Sequence, residues 1–486
     1  MNNKNESFST RFGLIAATIG MAIGAGNIWR FPRLAGQYGG SFLVPWFLFL
    51  FLWSIPLLIT EFSIGKKIRK GTIGSFIKSA GPGFGWMGWF VGICTTAIMF
   101  YYSVVCGWSL KYFFLSISGS ISTINHEAYW QNYSASIFQP LAFHLVSILI
   151  GGFIIYRGIV HGVEKFSRII VPLLFVLLII AAIKAITLPG SGKGIGYFFH
   201  MNLSDLANYK IWLEGLSQSA WSTGAGWGLL LTYAVYARKS DKIIGNSFIT
   251  GLGNNFASII AGLAIIPTVF ALSATSQAAS DALNSGNQGL AFIVIPQLFI
   301  KMPGGVLFSS VFFLALFFAA ISSLISMIEL AVRLLIDFGF TREKSVLLVC
   351  AAVFILGAPS AVSLTFFNNQ DWVWGLGLLL SGAFFAFTVP RIGVTKFVTD
   401  WIMPERNSDI LIRIFKVLFY FLIPVEFAVM LGWWFMQSVQ WNPESWWNPF
   451  ETYSLATTLL QWAIVIAFGF LFNRHFVKRI NQNDEL

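Results

Sequence analysis

Long apolar stretches separated by short polar segments run through the whole sequence. Residues 46–59, 170–183 and 306–324 contain no charged side chain, and a membrane crossing needs roughly 20 such residues. The pattern predicts an all-α integral membrane protein with about 12 transmembrane helices, named spans 1 to 12 below. The predicted spans cover residues 12–36, 41–65, 88–117, 139–156, 166–186, 211–238, 243–270, 305–335, 345–364, 372–390, 410–437 and 454–473.

Spans 1 and 6 differ from the others because closely spaced glycines interrupt each of them near its middle. Residues 20–27 read Gly-Met-Ala-Ile-Gly-Ala-Gly-Asn, and residues 222–228 read Ser-Thr-Gly-Ala-Gly-Trp-Gly. Glycine inside a helix costs about 1 kcal/mol relative to alanine, so both clusters predict helices that unwind at bilayer depth beside a cavity. Close helix packing would explain either cluster alone, whereas the matched pair points to the midplane binding site of a secondary transporter.

The two breaks lie five spans apart, and because five is odd, equivalent halves of the chain would have opposite orientations in the membrane. The sequence therefore predicts a 5+5 inverted repeat with helices 1 and 6 unwound, followed by two extra C-terminal helices. Repeat one covers about residues 12–186, repeat two about 211–390 and the extra helices about 410–473, all within a single transmembrane transporter domain over residues 1–486.

Composition supports the membrane assignment, since 56% of the residues are hydrophobic and 10% are charged. The net charge of +11 would suit a nucleic-acid partner, but the lysines and arginines concentrate in alternate loops. These are the segments before span 1 and after spans 2, 4, 6, 8, 10 and 12. The positive-inside rule then places both termini in the cytoplasm. The pattern predicts a multi-pass protein of the cell inner (plasma) membrane, in contact with lipid and not with nucleic acid.

Polar side chains near the breaks point to a cation site. A sodium ion needs oxygen ligands, and unwound backbone offers free carbonyl groups. Asn27, Asn254, Ser322 and Ser323 are polar at comparable depth in otherwise apolar helices, although a hydrogen bond to its own helix would explain each one singly. No carboxylate lies in the middle of span 1 or 6, and Gly24 stands where an acid could balance an amine. The arrangement favours a substrate that carries its own carboxylate, such as an amino acid.

Five motifs are spread over nearly the whole chain. They are residues 20–32, which end Gly-Asn-Ile-Trp-Arg-Phe-Pro, residues 39–42 (Gly-Gly-Ser-Phe), Tyr101-Tyr102, residues 232–236 (Thr-Tyr-Ala-Val-Tyr) and residues 318–323 (Phe-Ala-Ala-Ile-Ser-Ser). Together they resemble the neurotransmitter:sodium symporter family, in its prokaryotic amino acid transporter branch. The resemblance implies a sodium-coupled symporter, not an enzyme, that imports a small or medium neutral amino acid by alternating access.

The resemblance also implies which residues bind substrate and sodium. The substrate contacts would be Ala22, Gly26, Ile98, Tyr102, Trp221, Ser222, Gly224, Trp227, Ser323 and Met327. One sodium site would take oxygens of Ala22, Asn27, Ser222 and Asn254 with the substrate carboxylate, and the other would take oxygens of Gly20, Ile23, Ala319, Ser322 and Ser323.

Two pairs of residues resemble the outer gate of the family. Arg30 and Asp371 would form an ion pair above an aromatic lid made by Tyr102 and Trp221. Without the resemblance, the arginine would be interpreted as a base that reaches the membrane interface and the aspartate as an acid at a helix start.

The inner gate departs from the family pattern. Asp337 and Tyr236 stand where gate residues belong, but Asn5 and Phe8 occupy the positions at which the family usually has Arg and Trp. Two outcomes are open: a basic residue elsewhere in the N-terminal segment, Lys4 or Arg11, substitutes for the arginine, or the closed inner state is weaker.

Chloride is the second ion that the resemblance suggests. Gln218, Ser222 and Ser258 match the residues that surround the anion in chloride-dependent members, while Trp46 replaces a tyrosine. An indole N–H can donate one hydrogen bond, so the pattern predicts that chloride stimulates transport.

Three alternatives compete with sodium symport. A proton-coupled transporter of the same fold would use Glu61 or Glu329 as the carrier, because a carboxyl group inside a membrane is a functional candidate. A membrane enzyme is disfavoured, since the five histidines are scattered without a metal-ligand spacing. A channel is disfavoured because no filter motif or charge-lined span is present in the sequence.

Overall fold

The computed structural model describes residues 6–403 and 408–485, and every regular element within them is helical. Ten of the helical segments are long and apolar enough to cross a membrane. They correspond to spans 2–5 and 7–12, while spans 1 and 6 consist of shorter helices because each is broken. The predicted all-helical membrane fold and both interruptions are confirmed.

The helix bounds follow the predicted spans closely. Spans 1 to 5 comprise Arg11–Ala22, Ala25–Ile28 and Arg30–Tyr38; Leu43–Phe49 and Ile55–Ile68; Gly85–Ile117; Phe138–Tyr156; and Lys165–Ile186. Spans 6 to 10 comprise Tyr209–Ser222 and Leu229–Ala234; Ile243–Leu272; Gly305–Asp337; Arg342–Val362; and Leu364–Ile392. Spans 11 and 12 comprise Asp409–Val417 with Ile423–Trp441, and Leu455–Glu485. Shorter connecting helices are Thr72–Ser79, His126–Ala135, Ser191–Phe199 and Ser276–Leu283.

The predicted bounds were wrong at the end of span 12, whose helix continues to Glu485, and at the start of span 10. Span 10 was predicted from residue 372, but the helix Leu364–Ile392 begins directly after a break at Ser363. The Ser363 hydroxyl accepts a hydrogen bond from the Phe366 N–H (3.2 Å) and caps the helix. Asp371 therefore lies within the second turn of a continuous helix and has a fixed position.

Span 1 breaks at Ile23 and Gly24, between the helices Arg11–Ala22 and Ala25–Ile28. Both residues have extended backbone, with φ of −77° at Ile23 and −111° at Gly24, so no left-handed glycine is required. Gly24 is needed for space, because a Cβ atom there would lie 2.7 Å from the hydroxyl oxygen of Tyr102. The predicted break is present. Glycine is required at position 24 because a side chain would collide with Tyr102, and not because of the backbone conformation.

Span 6 breaks over residues 223–228, where Gly224, Gly226 and Gly228 have φ of 69°, 87° and 78°. Side chains other than hydrogen strongly disfavour this left-handed region. The fully buried carboxylate of Glu61 accepts hydrogen bonds from the N–H groups of Gly226 (2.6 Å) and Leu231 (3.1 Å). The acid from span 2 thereby satisfies backbone donors that the break releases inside the membrane.

Spans 3 and 8 pack together along much of their lengths, and spans 1, 5 and 7 pack around one side of this pair. Spans 11 and 12 lie at the periphery. In the most apolar 18-residue stretch of each, 28% and 22% of the residues are buried. We call the end of the bundle that contains Phe8, Arg69 and Asp337 the Phe8 side. The Arg30 side is the opposite end, which contains Arg30 and Asp371.

Candidate functional site

A cavity of about 110 Å³ lies where the breaks of spans 1 and 6 face spans 3 and 8. It is lined by all ten predicted substrate-binding residues: Ala22, Gly26, Ile98, Tyr102, Trp221, Ser222, Gly224, Trp227, Ser323 and Met327. Among the described residues, the charged ones in the lining are Arg30 and Asp371. A mainly apolar wall with a few polar groups is typical of a small-molecule site.

The side chains of Asn27, Ser222 and Asn254 meet beside this cavity. The Nδ2 of Asn27 lies 2.7 Å from the Oδ1 of Asn254 and 3.0 Å from the Oγ of Ser222. The same end of the Asn254 amide lies 3.1 Å from the Ala22 carbonyl oxygen and 2.9 Å from the Ser222 carbonyl oxygen. Hydrogen bonds within the protein favour the amide nitrogen at that end, since it then donates to both carbonyls. With the amide oxygen there instead, three acceptor oxygens converge without a proton between them, an arrangement that a cation stabilises. The four protein residues predicted for one sodium site are thus brought together, although Asn27 presents its Nδ2 to the cluster and its Oδ1 accepts a hydrogen bond from the Gly24 N–H (2.9 Å).

The second predicted set also comes together, between spans 1 and 8. The Ser323 hydroxyl lies 3.1 Å from the Met21 carbonyl oxygen and 3.3 Å from that of Ile23. The Ser322 hydroxyl lies 3.0 Å from the carbonyl oxygen of Ala319, and a Cβ atom at Gly20 would lie 3.3 Å from the Ser322 Cβ. The break at Ile23 frees its carbonyl group for this contact.

Both clusters consist of neutral oxygens. No group of three or more His, Cys, Asp and Glu side chains that could hold a metal ion occurs in residues 6–403 and 408–485. Carbonyl and hydroxyl oxygens replace the hydration shell of an alkali cation, whereas transition metals select imidazole and thiolate ligands. The chemistry of the site therefore fits sodium.

Tyr102 marks the polar end of the cavity. Its hydroxyl oxygen accepts a hydrogen bond from the Ala25 N–H (2.9 Å), just beyond the break in span 1. The hydroxyl hydrogen can therefore donate to an acceptor in the cavity. A Cβ atom at Gly26 would meet no atom within 4 Å, so the cavity extends up to this backbone. A carboxylate can approach the tyrosine there without meeting a side chain.

The predicted ion pair between Arg30 and Asp371 is not formed. Arg30 donates to the Ser217 hydroxyl (2.8 Å), lies 3.7 Å from the Glu214 carboxylate and stacks over the Trp221 ring at 4.7 Å. These contacts hold the guanidinium against span 6, away from span 10. A wider cavity of about 580 Å³, lined in part by the same arginine and Asp371, opens toward the Arg30 side. The contact with Glu214 was not predicted, because no motif marks it.

Phe8 closes the opposite end of the bundle. Its side chain is fully buried, its ring meets that of Tyr233 edge to face at 6.0 Å, and its N–H donates to the Tyr236 carbonyl oxygen (3.0 Å). The next residue is also held, since the Ser9 N–H donates to the Glu164 carboxylate (2.7 Å). A smaller aromatic ring thus fills the position where the resemblance places a tryptophan.

The ionic contacts on the Phe8 side were not predicted from the sequence. The Tyr236 hydroxyl donates to the fully buried carboxylate of Glu329 (2.6 Å). Arg342 pairs with the same carboxylate (2.8 Å) and with Glu6 of the N-terminal segment (3.3 Å). The N-terminal segment therefore contributes an acid to a buried arginine, the reverse of the charge order that the resemblance suggests. The sequence shows a glutamate in an apolar helix, but it does not show which residue pairs with that glutamate.

Asp337 belongs to a separate cluster. It pairs with Arg333 one turn earlier on span 8 (2.9 Å) and accepts a hydrogen bond from the Gly71 N–H (2.5 Å). Arg11, a predicted substitute for the missing arginine, is exposed. Lys4 and Asn5 lie outside the described residues. One basic partner of this aspartate thus comes from its own helix.

The four residues predicted to surround chloride are all buried. Both amide atoms of Gln218 and the indole N–H of Trp46 have no hydrogen-bonding partner in the described part of the chain. The Ser258 hydroxyl lies 2.8 Å from the Asn27 Nδ2, next to Ser222. Unpartnered buried donors of this kind need a ligand or water.

The model of the sodium:neurotransmitter symporter family matches residues 5–139 and 138–477 of this chain. A sodium-dependent transporter from Methanocaldococcus jannaschii is 35% identical over 369 residues, which cover 73% of this chain and 75% of the relative. The sodium-dependent transporter YhdH from Bacillus subtilis is 30% identical over 427 residues, covering 84% and 91%. The sodium-dependent serotonin transporter of Drosophila melanogaster is 27% identical over 450 residues, covering 81% and 71%.

Among solved structures, the crystal structure of MhsT in complex with L-phenylalanine is similar to this chain. The TM-score is 0.78 at 28% sequence identity, and the match covers 88% of this chain and 99% of the MhsT chain.

Replacing Glu6 with glutamine should loosen the N-terminal segment, because Arg342 then keeps only Glu329 as its ionic partner. A half-exposed ion pair contributes little, so amide hydrogen exchange of residues 8–10 should become about twofold to fivefold faster. Mass spectrometry of the N-terminal peptide measures this rate. Glu127→Gln, at an exposed glutamate far from the cluster, is the control. Equal exchange in all three proteins would contradict the proposed contact.

Proposed function

We propose that this chain, which belongs to the sodium:neurotransmitter symporter family and is a sodium-dependent symporter, imports a small or medium neutral amino acid. The observation that carries the proposal is the meeting of the neutral Ala22 and Ser222 carbonyl oxygens with the Asn254 amide directly beside the cavity. A neutral cluster leaves the charge of a cation unbalanced, and the carboxylate of an amino acid supplies the missing charge. Each ligand then favours binding of the other, which is the basis of coupling.

Two sodium ions would be bound in this arrangement. The ion next to the substrate takes oxygens of Ala22, Asn27, Ser222 and Asn254 and the substrate carboxylate. The other takes oxygens of Gly20, Ile23, Ala319, Ser322 and Ser323 and ties span 1 to span 8. Because each set joins a broken span to a continuous one, sodium binding would hold the two parts of the bundle in a defined relative position.

The amino acid would lie with its carboxylate toward Tyr102 and Gly26 and its side chain toward Ile98, Trp227 and Met327. The first pair offers a hydroxyl donor and free backbone space, and the other three side chains are apolar or aromatic and line the same cavity. The related MhsT was crystallised with L-phenylalanine, which supports a neutral substrate with an apolar side chain.

Import requires access to the cavity from each side in turn. The Phe8 side would face the cytoplasm and the Arg30 side the outside of the plasma membrane, as the distribution of basic loops predicts. Arg30 and Asp371 do not form an ion pair, and the wider cavity that they line leaves the route from the outside open. The buried Phe8 closes the route from the cytoplasm. Approach of the outer pair over the bound amino acid, followed by release of the N-terminal segment, would complete one inward step.

Proton coupling is the weaker alternative, for a structural reason. Glu61 accepts two backbone hydrogen bonds at the break of span 6. Glu329 is paired with Arg342 and with the Tyr236 hydroxyl. Protonating either carboxyl group would break contacts that support the fold, so neither is suited to carry a proton in each transport cycle.

In reconstituted vesicles, an inward sodium gradient should drive accumulation of a labelled neutral amino acid above its external concentration. A proton gradient in sodium-free buffer should not, because the two oxygen clusters bind a cation and not a proton. Vesicles containing Asn254→Leu serve as the control, since this variant removes an oxygen ligand. Accumulation driven by the proton gradient alone would contradict sodium symport.

Trp227→Phe should shift selectivity toward larger amino acids, because it removes part of the wall around the substrate side chain. Uptake of tryptophan relative to alanine should rise about tenfold, the effect expected from a change of one or a few methylene volumes in an apolar pocket. Competition assays with both amino acids measure this ratio, and Trp447→Phe, at an exposed ring outside the cavity, is the control. A wild-type protein that already prefers tryptophan would contradict the proposed substrate size.

Chloride should increase the initial rate of sodium-driven uptake relative to gluconate, because Gln218 and Trp46 direct unpartnered N–H groups into buried space. Gln218→Leu should abolish the difference between the two media. Equal uptake by the wild-type protein in chloride and in gluconate would contradict a role for the anion.

A further inference from the structure

Glu164 directly precedes the helix of span 5, and the N-terminal segment covers its carboxylate. The Glu164 Oε2 accepts a hydrogen bond from the Ser9 N–H (2.7 Å). Its Oε1 accepts from the Ser9 hydroxyl (2.7 Å), the Thr10 N–H (3.2 Å) and the Thr10 hydroxyl (2.7 Å). Glu164 is only 1% exposed. We call these four hydrogen bonds, which join Glu164 to Ser9 and Thr10, the Glu164 cluster.

The direction of these hydrogen bonds follows from the chemistry of the groups. A backbone N–H can only donate, and a carboxylate can only accept. The Thr10 hydroxyl accepts a hydrogen bond from the Gly13 N–H (2.9 Å), so its own hydrogen is left for Glu164. The same Thr10 hydroxyl caps the helix Arg11–Ala22 of span 1. That helix therefore has a cap within the N-terminal segment and does not depend on Glu164 for one.

Gly13 leaves the space that the Glu164 carboxyl group occupies. A Cβ atom at Gly13 would overlap this carboxyl group. Gly13 lies inside the helix Arg11–Ala22, where alanine is the better helix former. The glycine is therefore explained by the contact with Glu164 and not by the conformation of the helix.

A cavity of about 500 Å³ lies beside the Glu164 cluster and is lined in part by Ser9 and Glu164. The basic side chains of His161, Lys165 and Arg168 also line it and are exposed. Water and these basic groups can reach the carboxylate when the N-terminal segment moves away. Departure of the segment therefore does not leave a buried charge without partners, which would be costly.

We infer that Glu164 is a positioning residue of the transport cycle. It holds Ser9 and Thr10, and with them the adjoining ring of Phe8, where they close the Phe8 side, and its hydrogen bonds break each time that side opens. The Ser9 carbonyl oxygen also accepts a hydrogen bond from Arg238 after span 6 (3.3 Å), so the segment joins spans 5 and 6. This inference rests on the proposed function and identifies the contact that must be released before the cavity opens inward.

The inference is tested by amide hydrogen exchange of residues 11–22 in the purified full-length protein, measured in sodium chloride and in choline chloride. Glu164→Gln replaces one acceptor oxygen with a donor, and Gly13→Ala displaces the carboxylate while every hydrogen-bonding group stays in the chain. In choline, both variants should exchange about tenfold faster than the wild type, as expected when hydrogen bonds to an ionised group are lost. In saturating sodium, both should exchange at the wild-type rate, because an ion in the second oxygen cluster ties span 1 to span 8.

Two matched controls should behave as the wild type in both media. Glu127→Gln changes an exposed glutamate, and Gly432→Ala adds a methyl group to a helical glycine whose Cβ would meet no atom within 4 Å.

Faster exchange of both test variants in sodium as well as in choline would overturn the inference, since Glu164 would then only support the helix. Wild-type rates in both media would overturn it too. Gly13→Ala decides the matter alone if Glu164→Gln does not fold. A wild-type protein whose exchange does not respond to sodium would contradict the proposed function itself, whereas a normal wild-type response with unchanged variants contradicts only the role of Glu164.

Discussion

A broken helix inside a membrane must satisfy its peptide groups within the protein, because lipid offers no hydrogen bonds. The rest of the structure depends on this constraint. At the break of span 6, Glu61 accepts from backbone N–H groups, and the Thr95 hydroxyl donates to the Trp227 carbonyl oxygen (2.6 Å). At the break of span 1, Ser323 contacts the Ile23 carbonyl group. The contacts that make the breaks tolerable therefore also position the oxygens available to a cation.

The groups that the described residues bring to the first cluster are neutral, and this has a consequence for coupling. The Ala22 and Ser222 carbonyl groups supply oxygen without charge, so the charge balance of a bound cation depends on what else enters the cavity. An amino acid carboxylate is suited to that role, and an amine without a carboxylate is not. Sodium and substrate then stabilise each other across a few ångströms.

The closed Phe8 side shows how a gate can keep its geometry while its charges are rearranged. Glu329 is fully buried and needs a cation, which Arg342 provides. The same guanidinium also reaches Glu6, so the N-terminal segment is held through an acid. Asp337 has a basic partner, Arg333, on its own helix. A buried ring at Phe8 and an ion pair near it are the parts that close this end.

The sequence by itself determined the number of crossings, the two breaks and the residues around the cavity, because apolar length, glycine spacing and family motifs are local along the chain. The tertiary structure alone decided which charged side chains pair, such as Arg30 with Glu214 and Arg342 with Glu6. It also showed that Asp371 lies within a continuous helix. Side chains distant in sequence pair according to distances of a few tenths of a nanometre, and no local pattern encodes these. The direction of an amide hydrogen bond likewise depends on what lies opposite it, which only the packed helices define.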